Sequence, residues 1–400
     1  MNKLEKKCRI CNSTSLNKLL SLENMPLTDN FIDQNKPFKK EFIEDIDIYL
    51  CKDCFFVQNP HNFNYQVYYD TYEYSSGHSE FTKIFMSNYA ISAHDYFIEV
   101  NNRKPTSVIE IGSGDGSQLK FFKELGLNNI IGIEPSKILS DYANLNGIKT
   151  VNKLFNKENF DNSLNESFDI FISSYTFDHV SNPLEFLKLS HKVLNENGIF
   201  AVEIHNLDDI YKRNEFCLFE HEHTIYLNQY DIHRLLSLNN FDVISINPIN
   251  QKKVRANSLI AIARKKNNQN KNLKIDKKEK LIDLQKNIDQ FIVKIDSWLE
   301  RKVAEKYKII AFGAGGRGVM TIAALKNYHY FKGILDSNYS SNKYLAPKTH
   351  LPIFGPETWK NFSDHLCLVF SYGYFNEIKK QLINCGFKSK NIISLEFFFN

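Results

Sequence analysis

The sequence predicts an α/β protein in which mostly parallel sheets carry helices on both faces. Short apolar strands alternate with helical segments through the middle of the chain. Two glycine-rich turns, at residues 112–116 and 313–318, each follow such a strand and precede a helix. That order of strand, turn and helix is typical of Rossmann-like domains. A chain of 400 residues has room for two or three domains.

The first glycine-rich turn belongs to the stretch E-I-G-S-G-D-G at residues 110–116. Its glycines permit a tight turn that approaches a ligand closely, and the helix from Gln118 to Leu125 directs its first N–H groups at that ligand. The next strand ends in Glu134, where an acid accepts the two hydroxyls of a ribose. The acids at 110 and 115 suit a pyrophosphate poorly, but they suit a cationic ligand that has no phosphate.

These features predict a binding site for S-adenosylmethionine, the methyl donor whose sulfonium is cationic. The alternative interpretation is a tight turn without a ligand in some other α/β protein. The residues expected to contact the donor are Glu110, Gly112, Gly114, Asp115, Gly116, Glu134, Pro135 and Ser173.

Four of the seven cysteines form two close pairs, Cys8-x-x-Cys11 and Cys51-x-x-Cys54. Two such pairs predict a tetrahedral zinc site with four thiolates, which is closed and therefore structural. The alternative is four unrelated thiols or two redox pairs. The site is expected to stabilise a small N-terminal domain without a role in chemistry.

The central part of the chain shows regular strand and helix patterns. After a tyrosine-rich connector at 68–78, an amphipathic helix is predicted from Phe81 to Glu99 and another from Leu184 to Leu194, with Asn197-Gly198 as its stop signal. The predicted strands are Val108–Glu110, Ile130–Glu134, Ile148–Val151, Phe168–Ser173 and Gly198–Ile204.

Two polar clusters follow predicted elements of this sheet. The first, residues 173–180, contains Asp178 and His179, and the second is Glu220-His221-Glu222-His223. Burying two imidazoles and two acids without purpose is costly. A metal site is one interpretation of His-x-His, but it lacks the usual helical spacing of paired ligands. An acid–base site fits better, because a neighbouring carboxylate orients an imidazole and adjusts its pKa.

Composition narrows the class of protein. The net charge is +4, and acidic and basic residues are interspersed, so no nucleic-acid partner is expected. No segment has the length or hydropathy of a signal or transmembrane helix, so a cytoplasmic protein without a membrane partner is expected, as a monomer or homodimer.

The motifs that carry a family resemblance are the cysteine pairs, Pro26-Leu27-Thr28-Asp29-Asn30-Phe31, Tyr74-Ser75-Ser76, E-I-G-S-G-D-G, Asp178-His179 and His221-Glu222-His223. Taken together, they resemble the sugar C-methyltransferases that act on nucleotide-linked deoxy-keto-sugars in antibiotic and surface-glycan pathways. The resemblance implies a zinc-binding N-terminal domain, a class I methyltransferase domain and a C-terminal domain that helps to bind the sugar nucleotide. It also implies that His223 is the general base, with Tyr74, His179, Glu222 and His221 around the sugar.

The sequence departs from that family at two places. Members commonly read Tyr-His-Glu-His where this chain has Glu220, and they carry a Gly-Gly-Ser strand where it has Arg255-Ala256-Asn257-Ser258. Both departures fall near the expected acceptor site, and Glu220 is expected to contact the substrate. They put the usual sugar, and the atom that is methylated, in question.

The C-terminal part begins after a Lys/Asn-rich stretch between Lys265 and Asn272, with a long amphipathic helix over residues 281–299. The second turn, Gly313-Ala314-Gly315-Gly316-Arg317-Gly318, is a dinucleotide fingerprint with Asp336 at the end of the next strand. It is interpreted as a phosphate cradle in which Arg317 binds the diphosphate of the sugar nucleotide, or equally as a turn retained for packing.

The sequence thus predicts a zinc-binding domain at 1–78, a methyltransferase domain at 79–267, a helical connector at 268–305 and a Rossmann-like domain at 306–400. Its expected activity is S-adenosylmethionine-dependent C-methylation of a nucleotide-linked keto-deoxysugar through an enolate. The alternatives are O- or N-methylation by the same architecture, or an NAD-binding protein that uses the second turn. A zinc-ribbon protein that binds nucleic acid is disfavoured by the weak charge.

Overall fold

The computed structural model describes residues 3–4, 7–37, 40–62, 80–160, 166–250, 255–266, 275–341 and 343–399. Tyr74 and the tyrosine-rich connector lie outside these residues, so the role expected of Tyr74 stays a prediction. The backbone divides into two compact units, each assembled from three segments. The first comprises Met1–Asn17, Tyr49–Asp208 and Glu222–Lys278, and the second Lys18–Ile48, Asp209–His221 and Glu279–Asn400. The four domain limits expected from the sequence also stay predictions.

A seven-stranded sheet forms the centre of the first unit. Its strands are β1 (Ser107–Ile111), β2 (Asn129–Ile133), β3 (Thr150–Val151), β4 (Phe168–Ser174), β5 (Leu194–His205), β6 (Phe241–Ile246) and β7 (Ser258–Lys265). The order across the sheet is β6-β7-β5-β4-β1-β2-β3. The pairs from β5 through β3 are parallel, whereas β7 runs antiparallel to β5 and β6. The predicted mostly parallel sheet is therefore confirmed.

Helices cover both faces of this sheet. Successive strand residues point to opposite faces, and the central strands are apolar on both. One core contains Ile109, Phe171 and Phe200, and the other contains their chain neighbours Val108, Ile170 and Ile199. The helices are α1 (Glu80–Asn101), α2 (Ser117–Glu124), α3 (Lys137–Leu145), α4 (Lys157–Phe160), α5 (Pro183–Val193) and α7 (Gln229–Leu238), with a 3-10 turn at Phe177–His179.

The helix predicted to end at Leu194 ends one residue earlier, and its stop signal Asn197-Gly198 lies just beyond it. Helix α5 ends at Val193 and β5 begins at the next residue, so both residues lie inside the strand. Asn197 has a φ of 54°, and the pairing of β4 with β5 shifts register in this region, between Phe168 and Ile170. The turn-forming pair therefore lies in an irregularity at the start of β5, between Leu194 and Ile199, which both pair with β4.

The cysteine pairs belong to the first unit, where short strands surround them. Strand Lys3–Leu4 pairs with His61–Asn62. Strand Val57–Gln58 pairs on one side with Tyr49 and Leu50, the end of strand Ile43–Cys51, and on the other with strand Ile225–Tyr226. The zinc module is thus joined by backbone hydrogen bonds to the segment that follows His223.

A second, five-stranded sheet forms the centre of the second unit. Its strands are β8 (Ile309–Phe312), β9 (Phe331–Leu335), β10 (Ile353–Phe354), β11 (Leu366–Val369) and β12 (Ile392–Ser394), in the order β10-β9-β8-β11-β12. All of its pairs are parallel, which confirms the second Rossmann-like fold expected from the sequence.

The helices of the second unit include α8 (Leu284–Ala304), which contains most of the predicted amphipathic helix, α9 (Gly316–Ala324) and α10 (Phe375–Asn384). Helix α6 (Leu207–Arg213) carries the chain from the first unit into the second. Strand Ile32–Asp33 pairs with Tyr344–Leu345, and a long strand spans Leu16–Pro26. The 3-10 turns are Phe216–Leu218, Glu279–Asp283, Tyr328–Tyr330, Pro356–Phe362, Tyr372–Tyr374, Ser389–Asn391 and Leu395–Phe398.

Among the described residues, no helix combines the length and the apolar character needed to span a membrane.

Candidate functional site

The first glycine-rich turn leaves the carboxyl end of β1, at the edge of the sheet where ligands bind in open α/β folds. Gly112, Gly114 and Gly116 have φ values of 72°, 53° and 78°, a region that favours glycine. A Cβ atom on Gly112 would overlap the Thr176 hydroxyl, whereas one on Gly114 would meet nothing within 4 Å. The turn therefore packs closely at its start and has open space at its middle.

Glu134, at the end of β2, faces this turn. Its Oε2 atom accepts a hydrogen bond of 2.8 Å from the Gly114 amide, and its Oε1 atom accepts one of 2.7 Å from the Ser136 amide. Burial raises the pKa of the carboxyl to about 7, although these two amides oppose the shift. The next residue, Pro135, is half-buried, and its carbonyl accepts a hydrogen bond from Asn152. The acid predicted to bind the ribose thus lies directly beside the open part of the turn.

Buried polar atoms around the turn have hydrogen-bonding capacity left over. Glu110 Oε2, Ser113 Oγ and Ser173 Oγ are buried and have no partner among the described residues. Burial, together with the charges of Asp115 and Glu134, raises the pKa of Glu110 well above its usual range. Because buried polar groups are normally paired, these atoms fit a site that a polar ligand completes. The buried oxygen atoms of Glu110, Ser113 and Ser173 therefore fit a binding site for S-adenosylmethionine.

Asp115 plays a different part in the turn. Its Oδ1 atom accepts a hydrogen bond of 2.9 Å from the Ser117 amide, the first residue of α2. An acid at a helix N-terminus is stabilised by the free N–H groups there. The side chain therefore shapes the end of the turn, and its expected contact with the donor stays a prediction.

We predict that Glu134→Ala weakens S-adenosylmethionine binding about a hundredfold. The variant has no carboxylate to accept hydrogen bonds from the two ribose hydroxyls of the methyl donor. Isothermal titration calorimetry measures the change. Asp141→Ala is the matched control, since it removes an exposed acid from helix α3 and leaves the turn intact. Equal affinities for the wild type and Glu134→Ala would remove this residue from the site.

The two polar clusters of the sequence meet beside β4 and β5. Thr224 donates its amide to the Asp178 carbonyl at 2.7 Å and its hydroxyl to the Val180 carbonyl at 2.6 Å. The rings of His179 and His223 lie edge to face with centroids 4.6 Å apart. Glu222 and His223 are both buried. This part of the second cluster is therefore held against the first by backbone and side-chain contacts.

His179 is held in its neutral form. Its Nδ1 atom is buried and has no hydrogen-bond partner in the described part of the chain. Withdrawal from water lowers the pKa of the ring to about 4, and the nearby imidazole of His223 adds to that shift. Near neutral pH, His179 can therefore act as a hydrogen-bond donor or acceptor but is a poor proton acceptor.

His205 is a further member of this cluster that the sequence analysis missed. Its Nδ1 atom lies 2.7 Å from Asp178 Oδ2, and its ring centroid is 5.0 Å from that of His223. Burial alone would raise the pKa of Asp178, but the hydrogen bond and the charges of His205, His223 and His179 hold it well below its usual range. Its position at the end of a predicted strand could have identified it from the sequence. His205 is the last residue of β5 and so lies at the edge of the sheet where ligands bind.

Arg255, one of the departures from the family pattern, packs beside this cluster. Its guanidinium lies over the rings of Phe85 and Tyr175, at 4.5 and 4.4 Å from their centroids. It pairs with Glu203, a fully buried acid that also accepts a hydrogen bond of 2.7 Å from the Ser258 hydroxyl. The position is thus filled by a cation whose charge a buried carboxylate balances.

The first half of the E-H-E-H motif lies in the second unit. His221 Nε2 is 3.1 Å from the Met25 carbonyl, and its ring meets Phe42 edge to face with centroids 4.9 Å apart. Glu220 lies against the second glycine-rich turn, where a Cβ atom on Gly316 would overlap its carboxylate. These contacts account for His221 as a packed, hydrogen-bonded side chain, and the substrate contacts expected of both residues stay predictions.

The second glycine-rich turn repeats the geometry of the first. Gly313 has a φ of 105°, and a Cβ atom on Gly318 would overlap the Gly313 carbonyl. Asp336, at the end of β9, accepts a hydrogen bond of 2.8 Å from the Ala314 amide. This is the same contact between acid and turn that Glu134 makes with Gly114.

Arg317 is engaged within the second unit. Its Nε atom lies 3.2 Å from Glu215 Oε1, and its guanidinium is 5.2 Å from the centroid of the Tyr372 ring. The other carboxylate oxygen of Glu215, Oε2, lies 3.5 Å from Nη1 of Arg213. A diphosphate would therefore compete with a buried carboxylate for this guanidinium.

The four predicted zinc ligands, Cys8, Cys11, Cys51 and Cys54, converge. Their Sγ atoms all lie within 4.8 Å of one another, with 3.4 Å between Cys8 and Cys54 and 3.6 Å between Cys11 and Cys51. Four thiolates around one zinc ion stand about 3.8 Å apart, given zinc–sulfur bonds near 2.3 Å. The cluster therefore fits one tetrahedral zinc ion with no open position.

Three family models match consecutive parts of the chain. A zinc binding domain matches residues 8–69, a methyltransferase domain matches residues 83–246, and a C-methyltransferase C-terminal domain matches residues 245–393. Together they account for the chain from residue 8 to residue 393, except for 70–82.

The chain is also similar to individual proteins. It is 23% identical over 224 residues to the C-methyltransferase NovU of Streptomyces niveus, a match that covers 55% of this chain and 52% of NovU. The chain thus matches about half the length of that relative. The plantazolicin methyltransferase BpumL, solved with SAH, is 19% identical, and the match covers 50% of this chain and 88% of BpumL with a TM-score of 0.39.

A second solved structure, an S-adenosylmethionine-dependent methyltransferase from Thermotoga maritima, is 20% identical. That match covers 45% of this chain and 91% of the other, with a TM-score of 0.33. Likenesses this distant do not bear on the substrate or the reaction.

Proposed function

We propose that the chain is an S-adenosylmethionine-dependent C-methyltransferase that methylates a carbon atom of a nucleotide-linked keto-deoxysugar, because consecutive parts of it match a zinc binding domain, a methyltransferase domain and a C-methyltransferase C-terminal domain. The domain matches and the cysteine cluster confirm the methyl-donor domain and the zinc site expected from the sequence. The acceptor, the position of the new bond and a place in cytoplasmic sugar biosynthesis are part of the proposal.

The observation that carries the proposal is the imidazole cluster at the edge of the donor sheet. His223 is 3% exposed and lies against two other imidazoles and the carboxylate of Asp178. The donor turn is close by in the same unit, since Thr176 packs on Gly112 and is two residues from Asp178. An imidazole is the side chain best suited to remove a proton near neutral pH.

The proposed reaction begins when His223 removes a proton from the carbon beside the ketone. The C–H electron pair moves into an enolate, and His223 gains the proton. Hydrogen-bond donors such as His179 stabilise the charge that develops on the enolate oxygen. S-adenosylmethionine supplies an electrophilic methyl group, which the enolate carbon attacks to form the C–C bond and release S-adenosylhomocysteine. Burial of the cluster keeps water from quenching the enolate.

The proposal is tested with 4-keto-6-deoxyhexoses linked to thymidine, uridine, guanosine or cytidine diphosphate. Each sugar is deuterated at the carbon beside the ketone. We expect one of them to gain a methyl group on carbon and to lose its deuterium with a primary isotope effect or into water. A new methyl group on oxygen or nitrogen, with the deuterium retained, would show that the enolate step is wrong.

Arg317→Ala should weaken binding of the acceptor about tenfold and leave S-adenosylmethionine binding unchanged, if the second turn binds the diphosphate. Calorimetry with the best acceptor of the panel and with the methyl donor measures both affinities. Lys332→Ala is the control, because it removes an exposed cation from the same unit. Micromolar binding of NAD to the wild type would instead assign the second turn to a dinucleotide.

A further inference from the structure

His205 lies beside both Tyr175 and His223. The rings of Tyr175 and His205 are nearly parallel, with centroids 4.2 Å apart and an interplanar angle of 19°. The rings of His205 and His223 are tilted by 39°, with centroids 5.0 Å apart. The hydrogen bond from Nδ1 to Asp178 fixes the rotation of the His205 ring. The imidazole is therefore held in one position beside His223.

Tyr175, one of the residues beside His205, has a strained backbone conformation. Tyr175 has a φ of 46°, which is uncommon and costly for a bulky side chain. Its amide donates to the Glu203 carbonyl at 2.9 Å, and its ring lies between Arg255 and His205. Strain of this kind persists when the surrounding contacts over-determine it, which is typical of functional sites.

The mechanism proposed above leaves one proton unaccounted for. After each methyl transfer His223 carries the proton taken from the acceptor, and His223 is buried. His179, one neighbouring imidazole, is a poor acceptor because its pKa is about 4. His205, the other neighbouring imidazole, is half-buried, and the Asp178 anion stabilises a positive charge on it. Of these two neighbours, His205 is the one that can take the proton.

Asp178, His205 and His223 could instead be regarded as metal ligands, since one ligand atom from each lies within 4.8 Å of the other two. Two ligands of one ion with bonds near 2.1 Å are separated by about 3.0 Å or more. Asp178 Oδ2 and His205 Nδ1 are 2.7 Å apart, which is the length of a charge-assisted hydrogen bond. The geometry is therefore that of a paired imidazole and carboxylate.

We propose that His205, paired with Asp178, takes the proton from His223 and passes it to solvent. The step breaks the N–H bond on His223, forms one on Nε2 of His205, the ring nitrogen that does not face Asp178, and then releases the proton to water or buffer. The electrons of each N–H bond remain on the nitrogen that loses the proton, so no oxidant or reductant is needed. The inference rests on the proposed function, because it assumes that His223 is the base.

The relay is tested by separating proton exchange from methyl transfer. With S-adenosylhomocysteine in place of the donor, in D2O, the wild type should exchange the proton beside the ketone of the best acceptor in the panel. His205→Phe preserves the stack on Tyr175 but cannot carry a proton, so exchange should be at least about tenfold slower. The first turnover of methyl transfer, measured by quenched flow with S-adenosylmethionine, should be much less affected.

Asp178→Asn should behave in the same direction, and added imidazole should restore exchange in His205→Ala. His191→Phe is the matched control, since it removes another half-buried imidazole from the same unit. Exchange at the wild-type rate in His205→Phe, or activity that requires an added divalent cation, would overturn the relay. If the wild type itself exchanges no proton and transfers methyl to oxygen, the proposed function fails instead.

Discussion

Replacing His223 with asparagine should lower the turnover number by about a hundredfold or more while S-adenosylmethionine still binds. Asparagine keeps part of the shape and polarity of imidazole, but it cannot accept a proton near neutral pH. His223 is 3% exposed, so bulk water has little access to replace it as a base. The donor turn is built from other residues, so its affinity should not change. Steady-state kinetics with the deuterated acceptor and calorimetry with the donor measure the two quantities.

The matched control for this prediction is His329→Asn, which makes the same chemical change at an exposed position of the second unit. It should leave both turnover and donor binding at wild-type values. Near-normal turnover by His223→Asn would mean that a different group removes the proton. Loss of donor binding in that variant would mean that His223 supports the fold of the turn rather than the chemistry.

Removing the zinc ion should have the second large effect. We expect one zinc per chain, bound by the four converging thiolates, and we expect Cys51→Ser to abolish it. In zinc-dependent modules the metal contributes on the order of 10 kcal/mol to folding, so the N-terminal part of the first unit should unfold without it. Elemental analysis gives the stoichiometry, and limited proteolysis with thermal denaturation follows the loss of structure.

Cys385→Ser controls for the loss of a thiol, because Cys385 lies in the second unit and outside the cluster. Its zinc content and melting temperature should match those of the wild type. An absence of zinc from freshly purified wild-type protein would contradict the prediction, and so would an unchanged melting temperature in Cys51→Ser.

The elements that local chemistry determines were predictable from the sequence. Three glycines with positive φ in one turn, an apolar strand before it and an acid after the next strand make a pattern that few alternatives satisfy. The cysteine pairs were equally clear, because four thiolates with short spacings have one common use. In both predictions the motifs themselves are short, because the glycine turn spans residues 112–116 and each cysteine pair spans four residues.

What depends on tertiary contacts was not predictable. Asn197-Gly198 has the chemistry of a helix stop, yet it lies inside β5, in the break of the pairing with β4 between Leu194 and Ile199. His205 is a single histidine in an apolar stretch, and its value appears only when Asp178 and His223 are brought to it by distant segments. The motif E-H-E-H looked like one cluster, but the sequence could not reveal that its two halves belong to different compact units.

The strand pairing beside the cysteines extends the influence of the metal beyond the N-terminal segment. Val57 and Gln58 share backbone hydrogen bonds with Tyr226 and Ile225, and the Asn59 amide donates to the Thr224 carbonyl at 3.0 Å. Thr224 directly follows His223. Amide hydrogen exchange at 225–226 should therefore become faster when zinc is stripped under native conditions, before the sheet itself opens. The zinc ion, which contacts no substrate, would then determine how long His223 remains correctly positioned beside the sugar acceptor.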